Sequence, residues 1–131
     1  MTSGVLPAQA LRQLIAQGAL SATPTILDDQ IQPASLDLRL GPVAYRVRAS
    51  FLAGNGRRVQ DRLDEFTMHK VNLAEGAVLE KNCVYVIPLA ERVALPQGVT
   101  AVANAKSSSG RLDLLTRTIT DGGTEFDRIP E

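Results

Sequence analysis

Leu6, Ala10, Leu11, Leu14 and Ile15 recur at three- and four-residue steps while Arg12, Gln13 and Gln17 fall elsewhere, a spacing that predicts an amphipathic helix within residues 1–20. Pro7 suits its first turn and Gly18 its stop. After Thr23-Pro24 the period changes to two. In Ser35-Leu36-Asp37-Leu38-Arg39-Leu40 the leucines point one way and the polar residues the other, which predicts a half-buried strand closed by Gly41-Pro42. A second strand is expected where Val43, Tyr45 and Val47 alternate with Ala44, Arg46 and Arg48. Residues 49–66 lose the pattern and read as a surface excursion, with Arg57, Arg58 and Arg62 neutralised by Asp61, Asp64 and Glu65 on a solvated face. Beyond Met68, short apolar runs near 68–73, 83–89, 91–95, 99–105 and 112–120 are separated by turn residues such as Pro96-Gln97-Gly98 and Asp121-Gly122-Gly123. Strands about ten residues apart with little helix between them indicate an all-β barrel or sandwich.

Length and charge narrow the function. A chain of 131 residues builds one core, and 14 Lys+Arg against 14 Asp+Glu leave no whole-molecule field to hold a polyanion, which argues against a dedicated nucleic-acid binder. No apolar run approaches the ~20 residues of a membrane span, and Met1-Thr2-Ser3-Gly4 lacks a basic leader, so a cytoplasmic protein is expected. Cys83 and His69 are the sole cysteine and histidine. An intramolecular disulfide and a one-chain Cys/His zinc site are therefore out of reach. Cys83, in an apolar run, reads as a buried inert thiol, and His69 has no Asp or Ser partner at a recognisable spacing.

The chemistry concentrates in Lys106-Ser107-Ser108-Ser109-Gly110-Arg111. Hydroxyls and turn amides supply directional donors, and two cations five residues apart supply the charge a polyphosphate requires. No Gly-x-x-x-x-Gly-Lys-Ser/Thr pattern occurs, so this is not a P-loop. Composition leaves a plain solvent-exposed turn and a phosphate site both open.

Two segments extend this reading. Gln32-Pro33-Ala34-Ser35-Leu36-Asp37-Leu38-Arg39-Leu40-Gly41 and Lys106-Ser107-Ser108-Ser109-Gly110-Arg111-Leu112, with Val84 to Pro96 between them, resemble in order and spacing the motifs of the dCTP deaminase and dUTPase superfamily. The first is nearer the deaminase branch. The resemblance implies a mainly β, dUTPase-like distorted β-barrel (β-clip) with an amino-terminal helix: a single domain over 1–131, with helix in 1–20 and β core in 31–131. Asp121 to Asp127 resembles a longer bacterial deaminase, of which this would be the amino-terminal part, incomplete at its carboxyl end.

Position by position, the resemblance assigns Lys106, Ser107, Ser108 and Arg111 to the triphosphate, with Arg111 also supporting an active site that faces a neighbouring subunit. Lys106 replaces the family's usual Arg and loses the planar fork. Ser109 stands where Leu is common and Asp113 where Gly is common. Thr118, Ile119, Thr120 and Asp121 begin the nucleoside hairpin, and Asp127 aligns with its aspartate after an insertion. Asp37 matches a motif carboxylate; a ligand or metal contact and a polar residue bonded to a turn or to Arg39 both stay open. The implied activity is deamination of dCTP to dUTP and ammonia, without zinc and with Mg2+ only on the triphosphate. Its proton-shuttling Glu would lie beyond Glu131. Deoxynucleotide substrates, homo-oligomers with shared active sites, and neither nucleic-acid nor membrane partners are expected. A dUTP diphosphatase of the same fold and a non-catalytic nucleotide-binding or oligomerisation β domain are the alternatives.

Overall fold

The computed structural model describes residues 3–131; Met1 and Thr2, part of the start read for a leader, lie outside it. Helix α1, Ala8–Ala16, follows the apolar stripe: Leu14 is buried while Arg12, Gln13 and Gln17 face solvent. Gly18 takes φ +81°, a left-handed conformation a side chain would resist, and this ends the helix where the sequence places it. The N–H of Ala8 donates to the carbonyl of Pro33 at 2.9 Å, so the helix start is tied to the first motif.

Strand β1, Leu20–Ala22, pairs antiparallel with β5, Glu91–Val93; β2, Val43–Val47, lies between β3, Thr67–Asn72, and β4, Val84–Val86; β6, Ala101–Val102, pairs with β7, Arg128–Ile129. The architecture is mainly β. Among the described residues the strands form these three small sheets and no closed barrel.

The core is small: Leu14, Leu20, Ala44, Val47, Ala53 and Leu63 are its buried apolar residues. In β2 a register shift between Arg46 and Val47 turns Ala44 and Val47 inward together, which strict alternation does not predict. A compact chain of 14.0 kDa exposes about 6,700 Å², yet this one exposes 9445 Å². Much apolar surface lacks cover, Leu115, Val78 and Val5 most of all.

Four sequence expectations need correction. Residues 35–40 are extended but form only isolated bridges, Ile31 with Leu36 and Leu40 with Leu89, because Arg39 and Gly41 bond to 88–91 irregularly and Leu40 faces out. A Cβ on Gly41 would lie 2.6 Å from the carbonyl oxygen of Pro88, which is why glycine stands there. Residues 49–66 are not wholly irregular: helix α2, Val59–Phe66, buries Leu63 and stacks Phe66 on Phe51 at 5.4 Å. Residues 112–120 form no strand, since no neighbouring strand pairs with them among the described residues and Leu112, Leu114 and Leu115 stay exposed. Cys83 is partly exposed rather than buried, with Sγ 4.0 Å from a Glu80 carboxylate oxygen.

Candidate functional site

The serine segment is a single helical turn, α3, Ser107–Arg111, rather than an open loop. The Ser109 and Gly110 N–H groups donate to the Lys106 carbonyl at 3.0 and 3.4 Å, which leaves the Ser107 and Ser108 amides without a backbone acceptor among the described residues. Ser107, Ser108 and Arg111 are exposed, and Arg111 has no ion-pair partner among the described residues. The turn ends on Asp113, whose φ of +57° lies in the left-handed region. A family glycine fits that backbone without strain, and Asp is one of the few side chains that tolerate it. Composition alone cannot separate a helical turn of three serines from a loop; the left-handed stop at Asp113 is the feature that fixes it.

Asp37 brings the two motifs together. Its carboxylate accepts from the Lys106 ammonium at 3.0 Å and from the Gln32 amide at 3.3 Å. Arg39 turns the other way, to Glu91 and to the carbonyl of Pro24. The polar side of the first motif therefore divides in two, with Asp37 serving the serine turn and Arg39 the interior.

That interior carries an ion pair the sequence reading overlooks. Glu91 is buried, with its side chain 1% exposed; it accepts from the Arg39 N–H and guanidinium, both at 2.7 Å, and from the Gln30 amide at 3.1 Å. Burial pushes the Glu91 carboxyl up, but the bonds from Arg39 and Gln30 outweigh it and hold the group below the ordinary carboxylate range. The available signal was a lone carboxylate two residues after Leu89 and two before Val93, in phase with apolar positions.

Of the predicted nucleoside residues, Thr120 alone lines a second feature. A cavity of about 220 Å³ is lined by Thr120, Gly122, Gly123, Thr124, Glu125 and Arg128, among others. The Thr120 hydroxyl is buried without a hydrogen-bond partner among the described residues. Asp121 and Asp127 have bonds of their own. Asp127 accepts from the Thr118 N–H at 2.8 Å and pairs with Arg117 at 2.8 Å, which closes residues 118–127 into a loop. Asp121 accepts from the Val59 N–H at 2.7 Å and so caps α2 from 62 residues away. Asp121→Ala is expected to cost about 1 kcal/mol, the usual worth of a cap; urea unfolding should show it, and an unchanged midpoint would deny the cap. A larger cavity of about 650 Å³ contains none of the predicted site residues.

His69 is exposed on β3 opposite Arg46. The cations Arg57, Arg58 and Arg62 pair with Glu65 or Asp61, as expected for a solvated face. No three His, Cys, Asp or Glu side chains converge as metal ligands among the described residues. No helix among the described residues is long and apolar enough to cross a membrane.

Comparison with known proteins gives the family. The model of the 2'-deoxycytidine 5'-triphosphate deaminase (DCD) N-terminal domain matches residues 2–131. A "dCTP deaminase, dUMP-forming" of Sulfurihydrogenibium sp. (strain YO3AOP1) is 31% identical over 113 residues, covering 84% of this chain and 59% of that protein. The crystal structure of 2'-deoxycytidine 5'-triphosphate deaminase from Agrobacterium tumefaciens superposes with a TM-score of 0.94 at 54% identity, over 99% of this chain and 39% of that one. The chain thus spans less than two thirds of either relative. With both motifs in family order, the backbone of a solved deaminase and a domain match over nearly its whole length, this chain belongs to the dCTP deaminase amino-terminal domain family.

Proposed function

We propose that this domain supplies the triphosphate grip for hydrolytic deamination of dCTP to dUTP and ammonia. The observation that carries this is the 3.0 Å pair between Asp37 and Lys106, which sets a cation at the foot of a serine turn whose other end presents Arg111, unpaired among the described residues. Lys106 offers a point charge, Ser107 and Ser108 offer hydroxyl and amide donors, and Arg111 can hold two phosphate oxygens at once. Mg2+ enters on the triphosphate and offsets its charge. Thr120 and the cavity beside it receive the nucleoside, with Asp121 and Asp127 holding the shape of that loop.

Deamination adds water at C4 of the cytosine ring and expels ammonia, so a carboxyl group must take a proton from water and pass protons to the ring nitrogen and the leaving amine. Near the serine turn and the 118–127 loop, Asp37 pairs with Lys106, Asp127 with Arg117 and Glu125 with Arg128, while Asp113 has no ion-pair partner among the described residues. The shuttling Glu is assigned, by resemblance to the family, to sequence beyond Glu131. Exposed leucines just after Arg111 and the large total surface support self-association, with sites shared between copies. A cytoplasmic location belongs to this reading.

A second reading draws on the relative from Sulfurihydrogenibium, whose name gives dUMP as product. There the triphosphate is also cleaved. Incubating the chain, alone and within a polypeptide extended past Glu131, with dCTP and Mg2+ separates the readings by product. Ammonia with dUTP, released by the extended form alone, is the expected result; dUMP with pyrophosphate supports the second reading. A folded extended form that binds dCTP and releases no ammonia would leave a non-catalytic binding domain.

A further inference from the structure

Asp37 is gripped at both of its main-chain groups by one residue. Its N–H donates to the Gln30 carbonyl at 2.8 Å, and its carbonyl accepts from the Gln30 side-chain amide at 2.9 Å. The same amide donates to Glu91 at 3.1 Å, and its oxygen accepts from the Leu27 N–H at 2.9 Å. Both donor directions of the Gln30 amide are therefore committed, and the residue is 5% exposed. Glu91 is in turn fixed by two bonds from Arg39. A continuous run of bonds leads from the buried ion pair through Gln30 to Asp37, and from the Asp37 carboxylate to Lys106 on the surface.

Resting on the phosphate-grip reading above, we infer that Gln30 is a positioning residue: by clamping the Asp37 backbone it fixes where the Lys106 ammonium waits for the triphosphate. The Lys106 side chain is 64% exposed and carries a four-carbon stem that, without an anchor, samples many rotamers. A surface ion pair restrains such a stem only if its carboxylate is itself immobile. Asp37, with its peptide groups bonded and its side chain 29% exposed, meets that condition. The lysine keeps donors for phosphate while still bonded to Asp37, since an ammonium has three.

The test is a double-mutant cycle read by binding of dCTP with Mg2+ and, in parallel, of deoxycytidine. Gln30→Met keeps length and volume and removes the side-chain half of the clamp, while the bond from the Asp37 N–H to the Gln30 carbonyl remains. It is expected to weaken dCTP binding roughly three- to tenfold, the worth of about one hydrogen bond, and to leave deoxycytidine unchanged. In a Lys106→Ala background the same change should have little further effect. Equal losses in both backgrounds, or an equal loss for deoxycytidine, would overturn the positioning role and leave Gln30 a fold residue. Should Gln30→Met not fold, Asp37→Asn replaces it, leaving both clamp bonds in place. Removing that charge also relieves repulsion toward phosphate, so there the coupling to Lys106 is read rather than the sign; no coupling overturns the inference. An unmutated protein that fails to bind dCTP removes the phosphate grip itself, whereas binding with an additive cycle removes only the part given to Gln30.

Discussion

Arg111→Ala is expected to weaken dCTP binding by roughly tenfold to a hundredfold, since a hydrogen bond to a charged group contributes about 1.5–3 kcal/mol and each 1.4 kcal/mol is a decade. The reasoning starts from where the guanidinium stands. It ends an exposed helical turn and has no ion-pair partner among the described residues, so its donors are free for a ligand. Lys106→Ala should lose less, because an ammonium makes one-point contacts and part of its charge is already answered by Asp37. Arg111→Lys should recover the charge without the fork and fall between the wild type and alanine. Titration calorimetry with dCTP and Mg2+ at two salt concentrations checks the order, and screening should flatten the differences at the higher one. Binding within twofold of wild type for Arg111→Ala would place the grip elsewhere.

The largest stability effect is expected at Glu91. Alanine there removes one partner of a buried pair and strands donors from Arg39 and Gln30, a loss of about 3 kcal/mol, the low end for such a break because Arg39 keeps a quarter of its side-chain surface in water. The pair also gives stability a pH dependence of known sign. The folded Glu91 carboxyl sits below its ordinary value of 4.5, so the unfolded chain takes up its proton first as pH falls. Its contribution is complete above 4.5 and is lost as pH drops through the lowered folded value. Urea unfolding between pH 7 and pH 3 should show wild type losing stability at the acid end more steeply than Glu91→Gln. Parallel slopes would mean that Glu91 is not the group that titrates.

The elements that were legible in the sequence are those whose signal is local. The stripe from Leu6 to Ile15 specifies α1 and Gly18 stops it, because a helix bonds to itself. The order of the two motifs pointed to the fold before any contact was known. What stayed hidden depends on distant partners. Val59, Leu63 and Phe66 have helical spacing, but six charged residues around them mask it, and the residue that caps α2 is Asp121. The apolar run at 112–120 has strand composition, yet a strand needs a neighbour to bond, and none is placed beside it among the described residues. Lys106, Ser107, Ser108 and Arg111 are nominated from a local motif and its family resemblance, whereas Gln30 and Glu91 act through bonds that span up to 61 residues and leave no periodic trace.

Three contacts sew the segment before α2 to the loop after the serine turn: the Val59 N–H to Asp121, the Gly122 N–H to the Arg57 carbonyl, and the Gly54 N–H to the Gly123 carbonyl. Lengthening or shortening residues 49–58 must therefore drag residues 120–123 along. On the proposed reading, in which residues 120–123 receive the nucleoside, a change in the size of that excursion would reshape their wall while Lys106 and Arg111 stay in place, so that selectivity for the base and affinity for phosphates could be tuned on separate stretches of chain.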